Sequence, residues 1–405
     1  MQIERLLIMI FMIIPGLVYS QSFPGHVPFF DSVKNIISNT GNVKDWKRFV
    51  AIVKTMEKNK KGKVTIVHLG DSHIQGGYFP NRFRELLNHT YGVSGRGWVF
   101  PDSYAKVNGP EDVSFRSKSG WESTKYTRTP NTKEPNISGY HLLTTDSIIR
   151  ISLKLKLKSD SLYPFDDLIM YHNKNHLLFD ESTRIKSIEE RQSESVFTTR
   201  LTFSGFVDSV NLRFTLKDQD KKDFSLMGIE LGSSKPGIVY HSIGINGADF
   251  DAFNRMINYR TILRQLHPDL VIVSLGTNDA FVPHVDSSRF KQRVIKLIDS
   301  VQALLPGTCI LLTTPGDHLR NRKFLNPNLN IVREAIVSAA VQKNCLYWDF
   351  FEVMGGIGSS KRWKAKDYMY GDMKHLSQDG YSLQAKLFFD AFEKAINQTK
   401  LHDTN

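Results

Sequence analysis

Two hydrophobic patterns share this chain. From Asp45 to Lys61 apolar residues recur at helical spacing above a basic face, and the run Val64-Thr-Ile-Val-His-Leu69 then stops at Gly70. A β-rich apolar run of that length, bounded by glycine, predicts a buried strand that meets a loop. Phe83, Leu86 and Leu87 follow at helical spacing, so residues 64–88 predict strand, loop, helix. The same order returns where residues 270–275 lead into Gly-Thr-Asn-Asp and where residues 309–314 lead into Pro-Gly-Asp, and residues 345–350 add a further strand. Strands alternating with helices predict an α/β fold, a parallel sheet covered on both faces and joined by right-handed crossovers. In such a sheet the functional loops follow the carboxyl ends of the strands.

Between about residues 103 and 236 the period changes to two. Ile148-Ile-Arg-Ile-Ser-Leu-Lys-Leu-Lys-Leu-Lys158 keeps a period of two over many residues, and residues 199–205 and 210–216 continue the pattern. Short alternating strands separated by polar turns predict an antiparallel β-sandwich or jelly roll inserted into the α/β domain. The organisation expected is therefore a leader at 1–20, a first α/β part at 21–102, the insert at 103–236 and a second α/β part at 237–400.

The leader carries Arg5, an apolar stretch from Leu6 to Val18 broken by Pro15-Gly16, and the small Ser20. That is a signal peptide in outline, which places the mature protein in the periplasm or outside the cell. A retained membrane anchor is the alternative, because Glu4 accompanies Arg5; no later stretch is long and apolar enough to span a bilayer. A formal net charge of +12 suits anionic surroundings such as cell-wall polymer, acidic polysaccharide or nucleic acid, or serves solubility alone. No nucleic-acid recognition motif accompanies the lysines, so nucleic acid is not expected as a partner. The oligomeric state is not legible.

Two cysteines, Cys309 and Cys345, exclude a disulfide framework and leave a single bridge or two buried thiols. No Cys/His cluster has zinc spacing, and neither a metal nor an organic cofactor is expected.

The candidate chemistry starts at Gly70-Asp71-Ser72-His73-Ile74-Gln75, with Gly76 and Gly77 behind. Serine is a weak nucleophile until a base takes its proton and donors face the oxyanion. Alone, such a turn is more often a helix cap. Three further segments change the balance: Gly247 offers a backbone N–H, Asn278 an amide after a strand, and Asp372-Met-Lys-His375 a base with a carboxylate. A carboxylate three residues before a histidine reaches Nδ1 and leaves Nε2 for the serine.

These four blocks, in this order, resemble the SGNH/GDSL hydrolase family. The resemblance covers about residues 60–100 and 238–392. It implies a three-layer α/β/α, flavodoxin-like sheet and a serine esterase that needs no cofactor. Ser72 would be the nucleophile, His375 the base and Asp372 its orienting carboxylate, with an oxyanion hole built from the Ser72 N–H, the Gly247 N–H and the Asn278 side chain. The insertion point, the Gly-Asp-Ser-His-Ile-Gln form and the run Tyr91-Gly-Val-Ser-Gly-Arg-Gly-Trp-Val-Phe-Pro101 look like peptidoglycan O-acetylesterases and related polysaccharide esterases, whose insert resembles a carbohydrate-binding module. That level of resemblance implies removal of O-acetyl groups from a polysaccharide, peptidoglycan favoured. The alternatives are acyl transfer between glycans with the same residues, and a non-catalytic glycan-binding surface protein. Trp121 either stacks on a sugar or fills the core of the insert. His73 is expected to pack in the loop and His68 in the core, while Asp71 and Asp279 cap turns. His241, His284 and His318 have no carboxylate at the Asp-x-x-His spacing.

Overall fold

The computed structural model describes residues 30–125, 137–156, 164–180, 184–217, 223–256 and 258–401. The expected leader at 1–20 lies outside the described residues, and among these no helix is long and apolar enough to cross a membrane.

A six-stranded sheet forms the frame, in the order Ile37–Ser38, Leu346–Trp348, Cys309–Thr313, Leu270–Ser274, Lys63–Gly70, Gly237–Gly244. All its pairings are parallel except that of the edge strand Ile37–Ser38. The period of two sorts its side chains onto two faces. Val67, Leu69, Val271, Val273, Ile310 and Leu312 join one apolar cluster, whereas Val64, Ile66, Leu270, Ile272, Cys309 and Leu311 join the other. Helices Phe250–Arg255, Asn258–Leu266, Ser287–Leu304 and Asn328–Gln342 supply the first cluster; Lys44–Asn59, Tyr78–Tyr91 and Gln378–Gln398 supply the second. Trp46, Phe49, Val50 and Val53 of Lys44–Asn59 are buried, each worth about 1.5–3 kcal/mol of hydrophobic stabilisation for a side chain of this kind. The result is the three-layer arrangement that alternating strands and helices require.

The middle of the chain forms two antiparallel sheets. One has seven strands, ordered Ile185–Ser193, Val196–Val207, Phe165–His172, Phe224–Gly232, Tyr140–Thr144 and Glu122–Lys125, with Gly97–Val99 attached to Phe224–Gly232. The other has four, Val113–Arg116, Ile148–Leu155, Ser209–Leu216 and Leu177–Phe179. Alternate residues of both, among them Ile149, Ile151, Leu168, Met170, Leu212 and Phe214, share one apolar core. Gly97–Val99 lies before the boundary expected at residue 103, yet it pairs antiparallel with Leu231–Ile229. A three-residue strand is too short to display its period.

Cys309 and Cys345 are both buried as free thiols, so of the two readings left open by the sequence the unbridged one holds in this structure.

Candidate active site

The carboxyl ends of the central strands finish in register, Gly70 opposite Ser274 and Gly244, and Ser274 opposite Thr313. The loops that follow therefore rise from one edge. Immediately after Gly70 the chain turns into the four-residue helix Ser72–Gln75, whose first turn is capped by Asp71 accepting from the His73 N–H at 2.9 Å. This turn lies directly on the sheet edge. A Cβ at Gly244 would stand 2.0 Å from the Gln75 backbone nitrogen, so only glycine allows the approach.

Ser72 Oγ lies 2.9 Å from His375 Nε2, and His375 Nδ1 lies 2.6 Å from Asp372 Oδ2. Because a carboxylate only accepts, Nδ1 carries the proton and Nε2 is free to accept from Ser72. The local fold explains the spacing of the pair. Asp372 Oδ1 accepts from the backbone N–H groups of Lys374 and His375, both at 3.0 Å, while Met373 between them adopts φ 56°. The carboxylate thus caps its own turn and orients the imidazole three residues on. Partial burial opposes ionisation of Asp372, but the hydrogen bonds from His375 and Lys374 outweigh it and hold the carboxyl below its usual range.

Of the three expected oxyanion donors, two are backbone groups. Neither the Ser72 N–H nor the Gly247 N–H closes a hydrogen bond among the described residues. Gly247 sits exposed at φ 78° in the loop after Gly237–Gly244, and the Ile245 N–H fastens that loop to the Gly70 carbonyl at 3.0 Å. Asn278 is more committed: its Nδ2 donates to the Ala248 carbonyl at 2.8 Å and makes a long contact of 3.4 Å with Asp71 Oδ2. One amide hydrogen ties the Gly247 loop in place, and the other is held only weakly. Asp71 itself is buried; desolvation pushes its carboxyl up to about 7, against the opposing hydrogen bonds from His73 and Thr277 and the charge of Lys374.

The remaining polar residues sort as packing groups. His68 bridges Tyr240 Oη at 2.7 Å and Ser274 Oγ at 2.6 Å beneath the edge, and burial pushes it down to about 3. His73 shares a 2.8 Å hydrogen bond with Tyr381 Oη and packs its ring 5.0 Å from that of His375. Burial also pushes His318 down to about 3; its ring stacks on Phe281 at 4.8 Å. Asp279 accepts from the Phe250 N–H at 3.4 Å and braces that loop. Trp121 is not brought to this edge. Its ring stacks on Tyr104 at 5.2 Å, meets Phe224 edge-on and donates from Nε1 to Ser117 Oγ at 3.0 Å, so it packs in the core of the antiparallel sheets.

Sequence reasoning missed Gln75. Its Oε1 accepts from the Asn246 N–H at 2.5 Å and its Nε2 donates to the Asn108 carbonyl at 2.8 Å. One side chain thus ties the Ser72 turn to the Gly247 loop and to the antiparallel side. The only signal was its place in the Gly-Asp-Ser-His-Ile-Gln run; neither partner is close in sequence. Among the described residues no group of His, Cys, Asp and Glu is arranged to hold a metal ion.

The arrangement is a hydrogen-bonded serine, histidine and carboxylate, with the Ser72 and Gly247 N–H groups unpaired among the described residues. Residues 222–383 match the GDSL-like Lipase/Acylhydrolase family, a span that holds Gly247, Asn278, Asp372 and His375 and does not reach Ser72. No curated protein matches the chain. A solved structure described as "Peptidoglycan O-acetylesterase in action, 5 min" matches with a TM-score of 0.72 at 22% identity, covering 87% of this chain and 96% of that one. A lipase/acylhydrolase from Enterococcus faecalis matches at 14% identity and a TM-score of 0.31, over 41% of this chain and 80% of that one. A carbohydrate esterase family 3 structure from Talaromyces cellulolyticus matches at 16% identity and a TM-score of 0.32, over 41% of this chain and 74% of that one. Residues 222–383 are thus similar to the GDSL-like Lipase/Acylhydrolase family, and the chain shares its fold along most of its length with a solved structure described as a peptidoglycan O-acetylesterase.

Proposed function

We propose that the protein is an exported serine esterase that removes O-acetyl groups from a polysaccharide, with peptidoglycan the favoured substrate. The observation that carries the chemistry is the continuous hydrogen-bonded path from Ser72 Oγ through His375 to Asp372. His375 Nε2 takes the Ser72 proton as Oγ attacks the acetyl carbonyl, and Asp372 balances the imidazolium that forms. The oxyanion faces the Ser72 and Gly247 N–H groups, with the Asn278 amide as third donor; one such donor is worth about 2.7–4 kcal/mol. The C–O bond to the sugar breaks, His375 returns the proton to the departing hydroxyl, and water repeats the sequence on the acetyl-enzyme to free acetate and Ser72.

The substrate assignment draws on the antiparallel sheets beside the site and on the likeness in fold to the peptidoglycan O-acetylesterase structure. Export draws on the apolar stretch of residues 6–18 behind Arg5. The test is acetate release from O-acetylated peptidoglycan, acetylated xylan and 4-nitrophenyl acetate in parallel. The expected result is the highest kcat/KM on peptidoglycan, abolished by His375→Ala. Release from none of the three, or full activity in His375→Ala, would overturn the esterase reading. Appearance of the acetyl group on an added glycan, in place of free acetate, would assign transfer instead of hydrolysis.

A further inference from the structure

A cleft of about 660 Å³ runs along the seam between the parallel sheet and the antiparallel sheets, inside the range of about 300–1,000 Å³ common to small-molecule sites. One wall is the nucleophile turn itself, Ile74 to Gly76; the other includes Trp98, Phe100 and Phe115. The Gln75 hydrogen bond to the Asn108 carbonyl joins the two walls. The cleft therefore borders the turn that carries Ser72 without being lined by Ser72 itself.

Two carboxylates near this seam have opposite environments. Asp112 is clamped by Arg96, Nε to Oδ2 at 2.5 Å and Nη2 to Oδ1 at 3.0 Å, and also accepts from Asn81 Nδ2 at 3.1 Å. Although burial works against its charge, Arg96 pulls it down to about 2. Asp102 lines the cleft, partly buried, with no ion pair among the described residues. Arg96 is already committed to Asp112 and to the Trp98 carbonyl at 3.2 Å. Desolvation pushes Asp102 up to about 8, against its own backbone N–H and the nearby charge of Arg96, so near neutral pH its carboxyl both donates and accepts. Its Oδ2 rests against Gly109, where a Cβ would come within 2.0 Å.

A neutral acid between aromatic walls, with Ser103, Asn108 and Ser114 at hand, matches a ligand with apolar faces and a rim of hydroxyl and amide groups. We infer that the cleft between Gln75 and Asp102 is a binding subsite for an uncharged hexosamine unit of the glycan, adjacent to the unit whose ester meets Ser72. This rests on the glycan-esterase reading above. It adds that the seam, rather than the Trp121 region, reads the polymer, and that recognition there is by neutral hydrogen bonds.

The test measures binding of chitotetraose, an uncharged N-acetylglucosamine oligomer, to Ser72→Ala protein by calorimetry, with a galacturonic acid oligomer as the anionic control. Chitotetraose binds and the anionic oligomer binds far more weakly. Adding Asp102→Ala weakens chitotetraose about five-fold, the scale of one neutral hydrogen bond. Asp102→Asn, which keeps a donor and an acceptor, stays within about two-fold of the parent on the same scale. Gly109→Ala, which displaces the carboxyl while leaving it in the chain, behaves as Asp102→Ala and serves if that variant does not fold. In the active enzyme, the ratio of kcat/KM on O-acetylated peptidoglycan to that on 4-nitrophenyl acetate falls by a similar factor in Asp102→Ala. No chitotetraose binding by Ser72→Ala, preference for the anionic oligomer, or equal binding with and without the Asp102 carboxyl would overturn the subsite. Binding needs no turnover, so its failure is separable from that of the esterase reading, which the wild-type acetate assay decides.

Discussion

The parallel sheet and the antiparallel sheets use the same period of two for different ends. In the parallel sheet both faces are buried under helices and every strand after the edge runs the same way, so the loops after Gly70, Gly244 and Ser274 gather at one edge. In the antiparallel sheets neighbouring strands reverse, so their loops divide between two ends, and one face is often open; Ile185–Ser193 is exposed along most of its length. The first geometry concentrates reactive groups, and the second offers walls. Hence Ser72, His375 and Asp372 meet over the parallel sheet, whereas the antiparallel side contributes Trp98, Phe100 and Phe115 to the cleft beside them.

The largest effect that sharpens this contrast is on the parallel edge. Asn278→Ala removes a predicted oxyanion donor together with the hydrogen bond that ties the Gly247 loop. kcat on 4-nitrophenyl acetate should fall about 10²–10³-fold, as for loss of one such donor, with less change in KM. A fall confined to KM would show that Asn278 only shapes binding.

Trp121→Ala probes the other region. It removes the stack on Tyr104 and the hydrogen bond to Ser117, and should cost roughly 2–3 kcal/mol in chemical denaturation, below the cost of a fully buried tryptophan because this one is only partly buried. kcat on 4-nitrophenyl acetate should hold. A selective loss of glycan binding without loss of stability would place Trp121 at the ligand after all.

Smallest for each pH unit crossed is the pH-dependent effect of Asp71. Its folded carboxyl is raised to about 7 by burial, above the usual 3.8, so stability linked to its protonated form is present below about pH 4 and is lost as pH rises toward 7. Asp71→Asn abolishes the titration. Relative to wild type the variant should gain up to roughly 1.4 kcal/mol per pH unit across that window, read as a difference in Tm between pH 5 and pH 8. A constant difference would mean that Asp71 stays ionised, held by Lys374.

What could be read from the chain, and what could not, follows the same division. Strands near residues 64–69, 270–275 and 309–314 were legible because buried parallel strands are continuous apolar runs bounded by glycine or proline. Although the turn at Ser72 alone reads as a cap, the Ser72, Asn278 and Asp372/His375 positions were legible because four short blocks stand in the order that resembles the SGNH/GDSL hydrolases. Gln75 was not, since its bonds to Asn246 and Asn108 depend on how distant segments approach. Asp102 had no signal either: only the fold shows that Arg96 forms its ion pair with Asp112 and reaches Asp102 by its charge alone. The alternation over 148–155 identified a strand but not its partners, its remainder at 157–158 lying outside the described residues, and Gly97–Val99 was too short to reveal its pairing. Trp121 carried two readings that only the positions of Tyr104 and Phe224 separate.

The most direct test of the central claim is acid quenching of the enzyme in the first turnovers on 4-nitrophenyl acetate, followed by peptide mass spectrometry. The account predicts an acetyl group on the peptide that contains Ser72, located on Ser72 itself and absent from Ser72→Ala. Acetate release with the acetyl group on another residue, or undiminished release by Ser72→Ala, would contradict it.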